Sequence, residues 1–115
     1  MKVAVIGVGS MGYNHLRVYS EIDDVEVVGV SDLDSARLQM VAEKFSVNTF
    51  TSYEELFEKT QPDAVSITVP TSEHEKAATY ALEKGAHVLV EKPIAATVDE
   101  GKRLIQLAEK KDRQL

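Results

Sequence analysis

The 115-residue chain has no cysteine, no tryptophan, only three prolines, and 13 lysines and arginines against 19 aspartates and glutamates. Without cysteine there is no disulfide, no cysteine-based zinc site, no thiolate-held iron–sulfur cluster and no thiol nucleophile. His15, His74 and His87 are widely separated and their carboxylate neighbours define no zinc or hydrolase spacing, so no metal is expected. The formal charge of −6 disfavours nonspecific attraction to nucleic acid or anionic membrane. No hydrophobic run approaches the length of a membrane span, and Met1 leads directly into a strand-like segment without the basic, apolar and small-residue parts of a signal peptide. A cytoplasmic protein is expected. No GxxxxGK motif is present, so Walker-type phosphate transfer has no support.

What is present is enough apolar material, 43% of residues, to pack the core of one domain, with the 28% of charged residues dispersed rather than run together. Lys2–Gly7 is a β-branched run stopped by glycine, as a buried strand would be. A helix over 11–22 follows, with Met11, His15, Val18 and Ile22 at the spacing of one buried stripe. Val25–Asp32 reads as a strand. Ser35–Phe45 reads as a helix capped by Asp34, with Leu38, Val41, Ala42 and Phe45 as its apolar face. Val47–Phe50 reads as a short edge strand, then Ser52 and Glu55 form a capping box for a short helix carrying Leu56 and Phe57. Ala64–Val69 is the next strand, ended by Pro70, and Ser72 with Glu75 offers a capping box for a helix reaching Lys84, where Gly85 supplies a left-handed cap. His87–Glu91 is the fifth strand. The last helix runs from the Thr97/Glu100 capping box to about Lys111, packing through Leu104, Ile105, Leu107 and Ala108. Five strands with helical crossovers predict an α/β domain with a mostly parallel sheet.

Gly7-Val8-Gly9-Ser10-Met11-Gly12 follows a strand and opens a helix, the context that makes GxGxxG informative. Gly7 permits the tight turn, Gly9 leaves room for a pyrophosphate, and Gly12 lets the helix pack on the sheet, with the N–H groups around Ser10, Met11 and Gly12 facing the anion. Asp32, twenty residues on at a strand end, is placed to accept from the adenosine ribose hydroxyls and to repel a 2′-phosphate, which favours NAD over NADP. Asp34 fits better as a helix cap, and Arg37 as a solvent-facing arginine, although a 2′-phosphate could draw it in. These residues predict a Rossmann-type three-layer domain. The strand order 3-2-1-4-5 follows from the motif, not from hydrophobic periodicity.

With the glycine motif, Thr68–His74 (TVPTSEH) and Gly85–Pro93 (GAHVLVEKP) resemble the nucleotide-binding half of the glucose–fructose oxidoreductase, inositol dehydrogenase and rhizopine-catabolism family, Gfo/Idh/MocA, over nearly the whole chain. The resemblance implies that Gly7, Gly9 and Gly12 bind pyrophosphate and Asp32 the ribose. It places Thr68, Pro70, Thr71 and His74 on the cofactor side, and Glu91, Lys92 and Pro93 at the nicotinamide and substrate interface. Lys92 is then the catalytic candidate. Its position after the fifth strand also suits a cation that orients a carbonyl or alkoxide. The bland alternatives are an exposed lysine paired with Glu91 and a satisfied surface or interface histidine at position 74. Whether the Lys92–Pro93 bond is cis is not readable from sequence.

Members of this family ordinarily continue into a substrate domain. The expectation is therefore a chain spanning 1–115 as an NAD(P)-binding domain, truncated before its last strand and a C-terminal domain, with negligible turnover alone. The parent is expected to be an oxidoreductase passing hydride between nicotinamide and a sugar, cyclitol or related polyol, and to be homo-oligomeric. The alternative reading is a non-catalytic dinucleotide-sensing or structural module.

Overall fold

A computed structural model describes all residues from Met1 to Leu115. The five apolar runs become β1 (Lys2–Ile6), β2 (Glu26–Ser31), β3 (Thr49–Phe50), β4 (Ala64–Ile67) and β5 (His87–Val90). They form one sheet, all parallel, in the order β3-β2-β1-β4-β5. The helices are α1 (Ser10–Ser20), α2 (Ser35–Phe45), α3 (Tyr53–Thr60), α4 (His74–Glu83) and α5 (Val98–Lys111). Parallel neighbours need crossovers, and the helices supply them while covering both faces of the sheet. Leu16 of α1 and Leu38 and Val41 of α2 pack with Val5 and Val30 on one face. Leu56, Leu82 and Leu104, from α3, α4 and α5, pack with Ala4, Ile6, Val65 and Ile67 on the other. Adjacent residues of β1 and β4 thus serve opposite layers, as the two-residue repeat of a strand requires.

The caps explain where most helices begin. Asp34 accepts from the N–H groups of Ala36 and Arg37, and Thr97 and Glu100 make the full reciprocal box at the head of α5. Gly85 adopts φ +86°, the left-handed conformation that ends α4 without a Cβ penalty. At α3 only half of the expected box forms: Ser52 accepts from the Glu55 N–H.

Three expectations are corrected. On α1 the seam that meets the sheet is Gly12 and Leu16, whereas Met11, Val18 and Ile22 are exposed. Of the expected stripe only His15 turns inward, to Ser66; glycine carries no hydropathy signal, which hides the contact at position 12. Before α4, residues Thr71–Glu73 form a 3-10 turn after Pro70, and the α-helix starts only at His74 with no side-chain cap. Glu75 is therefore not a capping partner of Ser72; its carboxylate takes a two-pronged bond from Arg103 of α5, at 2.7 and 3.0 Å. On α5 the buried positions are Gly101, Leu104 and Ala108, and Ile105 faces solvent. No helix is long and apolar enough to cross a membrane.

Candidate functional site

The C-terminal ends of β1, β2, β4 and β5 share one rim of the sheet, and the glycine turn occupies its centre. Gly7 has φ +91°, and a Cβ there would lie 2.9 Å from the Thr68 main chain. A Cβ on Gly12 would overlap the Gly7 carbonyl and sit 2.7 Å from Thr68 Oγ1. Both glycines are demanded by close backbone approach. Thr68 tightens the same knot, its hydroxyl held by the carbonyls of Ile6 and Gly7. Gly9 is different, because nothing but the tip of Arg37, 3.7 Å away, approaches the position of its missing Cβ. Gly9 caps α1 without a side-chain bond, and the N–H groups of Ser10, Met11 and Gly12 find no partner within the chain. Three free donors at the positive end of a helix make an anion cradle, and the emptiness at Gly9 lets an anion reach it.

Asp32 stands at the end of β2 with its side chain almost wholly buried. One carboxylate oxygen accepts from the Val8 N–H, the other from the Asp34 N–H, each at 2.8 Å. Each oxygen keeps a further lone pair for a ligand hydroxyl. Arg37 reaches back from α2 to 3.9 Å from Asp32 and 3.7 Å from Asp34. A groove of about 960 Å³ runs between Gly9, Asp32 and Pro70, with Met11, 49% exposed, at its lip. The residues present fit a dinucleotide: a phosphate cradle at one point, a ribose acceptor at another, and an apolar wall between them.

Beyond the groove, β5 leads into Glu91-Lys92-Pro93, with a cis bond before Pro93. Lys92 is exposed and belongs to none of the ion pairs. Glu91 is engaged elsewhere: its carboxylate accepts from His15 Nε2 at 2.9 Å and, more weakly, from the Lys92 N–H at 3.3 Å. The His15 N–H, then the Lys92 main chain, hold the Glu91 carboxyl below the usual carboxylate range despite partial desolvation. His15 Nδ1 lies 2.9 Å from the fully buried Ser66 hydroxyl, which also meets the Tyr19 hydroxyl at 2.7 Å. No group of three histidine and carboxylate side chains is placed to hold a metal ion.

Residues 1–115 match the oxidoreductase family Gfo/Idh/MocA, described by its NAD-binding Rossmann fold. The chain belongs to this family. It is 36% identical over 111 residues to UDP-N-acetylglucosamine 3-dehydrogenase of Acidithiobacillus ferrooxidans, covering 96% of this chain and 34% of that one. Inositol 2-dehydrogenase of Salmonella typhimurium is 29% identical, covering 100% and 35%. The WlbA dehydrogenase of Chromobacterium violaceum, solved with NADH and UDP-GlcNAcA, superposes with a TM-score of 0.92 at 27% identity over 98% of this chain and 33% of that one. The chain thus spans about a third of the length of the relatives it matches. It is an NAD-binding domain of the Gfo/Idh/MocA type, with the strand order expected from its glycine motif.

Of the residues singled out from the sequence, Gly7, Gly9, Ser10, Met11, Asp32, Thr68 and Pro70 line the groove, with Gly12 directly beneath it. Glu91, Lys92 and Pro93 gather at the adjacent strand end, and Thr71 lies in the 3-10 turn leading to α4. His74 is a correction to the surface reading, for it is only 2% exposed. Its ring nitrogens stand 2.8 Å from the Pro93 carbonyl and 2.9 Å from the Val69 carbonyl, so neither is turned to a ligand. The feature sequence reasoning missed is the Tyr19–Ser66–His15–Glu91 chain. Its signal was present: Ser66 is a polar residue in the middle of an apolar strand, and such a group needs a partner.

Proposed function

We propose that, in the protein to which this domain contributes, Lys92 acts on the substrate oxygen while hydride passes between a nicotinamide and a carbon of a sugar, cyclitol or related polyol. The observation that carries this reading is the uncommitted Lys92 ammonium at the end of β5, while its neighbour Glu91 is tied to His15. The names of the relatives, dehydrogenases of inositol and of a nucleotide sugar, support the substrate class. When bound, NAD supplies the hydride acceptor; the chain holds and orients. The N–H groups of Ser10, Met11 and Gly12 neutralise pyrophosphate charge, and Asp32 accepts from the ribose hydroxyls and disfavours a 2′-phosphate. The Lys92 ammonium stabilises negative charge on the substrate oxygen and exchanges a proton with it. Assembly with a substrate domain completes the pocket, and the complete protein joins further copies of itself.

Calorimetric titration with NAD and NADP tests the cofactor part. NAD should bind more tightly, and Asp32→Ala should weaken NAD more than NADP; equal or stronger NADP binding overturns the role given to Asp32 and hands it to Arg37. Lys92→Met tests the chemical part. It should leave NAD affinity unchanged and depress single-turnover hydride transfer in the complete enzyme, because methionine keeps bulk and loses the cationic, proton-carrying head. Unchanged hydride transfer overturns the assignment of Lys92, whereas a complete protein that binds NAD and shows no turnover on any polyol favours a sensing module.

A further inference from the structure

Lys92 is exposed, sits past the last hydrogen-bonded residue of an edge strand, and makes no ion pair, yet a group that meets a substrate oxygen must be held in place. The residues on either side of it are gripped by histidines from opposite layers of the domain. From α1, one helical turn beyond Gly12, His15 bonds the Glu91 carboxylate. From the first turn of α4, on the other face of the sheet, His74 bonds the Pro93 carbonyl and, through its second nitrogen, the Val69 carbonyl at the end of β4. We propose that His15 and His74 are positioning residues that clamp the Lys92 segment from both faces, a role that rests on the reading of Lys92 as the group acting on the substrate oxygen.

Donor counting separates the two histidines. Ionised Glu91 only accepts, so His15 Nε2 carries the proton. Ser66 can then donate to His15 Nδ1 and Tyr19 to Ser66, which satisfies every member of the chain with a neutral ring. His74 faces two main-chain carbonyls, and a carbonyl also only accepts. Holding both at once takes an imidazolium; a neutral ring holds one and turns a lone pair toward the other. The grip of α1 on Glu91 therefore needs no charge on the ring, whereas that of α4 on Pro93 and Val69 together does.

Nuclear magnetic resonance on the 115-residue chain reads this directly. Imidazole nitrogen shifts should show the proton of His15 on Nε2, the nitrogen that faces Glu91, and a proton on His74 Nδ1, the nitrogen that faces Pro93. His15→Leu and His74→Leu should each loosen residue 92, seen as a fall in its heteronuclear NOE, with glutamine at either position restoring part of the order by replacing one donor. A His15 Nε2 or a His74 Nδ1 that carries no proton, or a residue 92 equally ordered in both folded leucine variants, overturns the proposal. The nitrogen shifts need no substitution, so they decide even if the leucine variants fail to fold. In the complete enzyme, assayed on the polyol established for it, His74→Leu should lower kcat about tenfold to a hundredfold while NADH affinity, measured by calorimetry, holds. Clamping seen at residue 92 together with undiminished hydride transfer in Lys92→Met would overturn the function of the lysine and leave the clamp standing, which keeps the two failures apart.

Discussion

Gly9 and Gly12 lie three residues apart in one motif and are needed for different reasons. At Gly12 the sheet itself leaves no room, since a Cβ would enter the Gly7 carbonyl and crowd Thr68. At Gly9 the space is open and the backbone, φ −65° and ψ −162°, suits any residue. Gly12→Ala should therefore cost about 1–3 kcal/mol of folding stability, whereas Gly9→Ala should stay within about 0.5 kcal/mol of the unaltered chain and lose NAD affinity. Paired urea melts and NAD titrations separate the two, and a Gly9→Ala chain that binds NAD normally would remove the pyrophosphate from that position. At this scale the sequence was informative wherever backbone conformation dictates residue type, as at Gly7, Gly12, Gly85 and Asp34. It was uninformative at His74, because a histidine reads alike whether it faces solvent or two buried carbonyls, and the partner at Pro93 is 19 residues away.

The helices show how far local signals reach. The Thr97/Glu100 spacing and the Ser72/Glu75 spacing are the same, yet only the first becomes a cap, because Pro70 leads into a 3-10 turn and Arg103 takes the Glu75 carboxylate. Thr97→Ala should then cost about 1 kcal/mol, while Ser72→Ala should change stability by less than about 0.5 kcal/mol, both read from chemical melts. Two ion pairs tie α4 to α5, Glu75 with Arg103 at 2.7 Å and Glu83 with Lys111 at 2.8 Å. Hydrogen bonds from these cations, before any through-space attraction, hold both carboxyls below their usual range. The folded chain then binds fewer protons than the unfolded one as the solution is acidified, so this contribution is present above the ordinary carboxylate range and lost as pH falls through the lowered values. Melting temperature against pH should decline there, and less steeply in Glu75→Gln; an unchanged slope would show that the pair does nothing for the fold. The hydropathy stripe assigned to α1 failed for a related reason: its contact line is a glycine, a leucine and a histidine tied to Ser66, and only the leucine registers as apolar.

For the molecule as a whole, residues 113 and 114 bond to the β5 edge of the sheet and to the turn before it. Arg113 donates to the Gly85 carbonyl at 2.6 Å, the Val88 N–H donates to the Gln114 carbonyl at 2.9 Å, and the Gln114 N–H donates to His87 Nδ1 at 2.9 Å. Deleting residues 113–115 removes the two bonds of Gln114 to β5 and that of Arg113 to Gly85, a loss of about 2–4 kcal/mol at typical net values, and should lower the melting temperature by about 4 °C for each kcal/mol in calorimetry. A deletion variant that melts with the full chain would mean these bonds only replace water. The order of the sheet was legible only through the glycine motif, because hydropathy tells a buried strand from an exposed one and carries no information about which strand is its neighbour.

That order has a consequence for how the domain comes into being. Of the five strands β1 is made first, and it is the one that ends in the middle, seated between β2 and β4. Its flank toward β2 can close once Glu26–Ser31 has emerged, but the other must wait for Ala64–Ile67. Over that interval the nascent chain carries a half-sheet with a bare hydrogen-bonding margin and the side chains of Ala4 and Ile6 uncovered. The turn that will cradle the pyrophosphate cannot set until Thr68 arrives to hold the Ile6 and Gly7 carbonyls, so the ability to bind NAD waits on the second half of the sheet although the glycines and Asp32 are made before it.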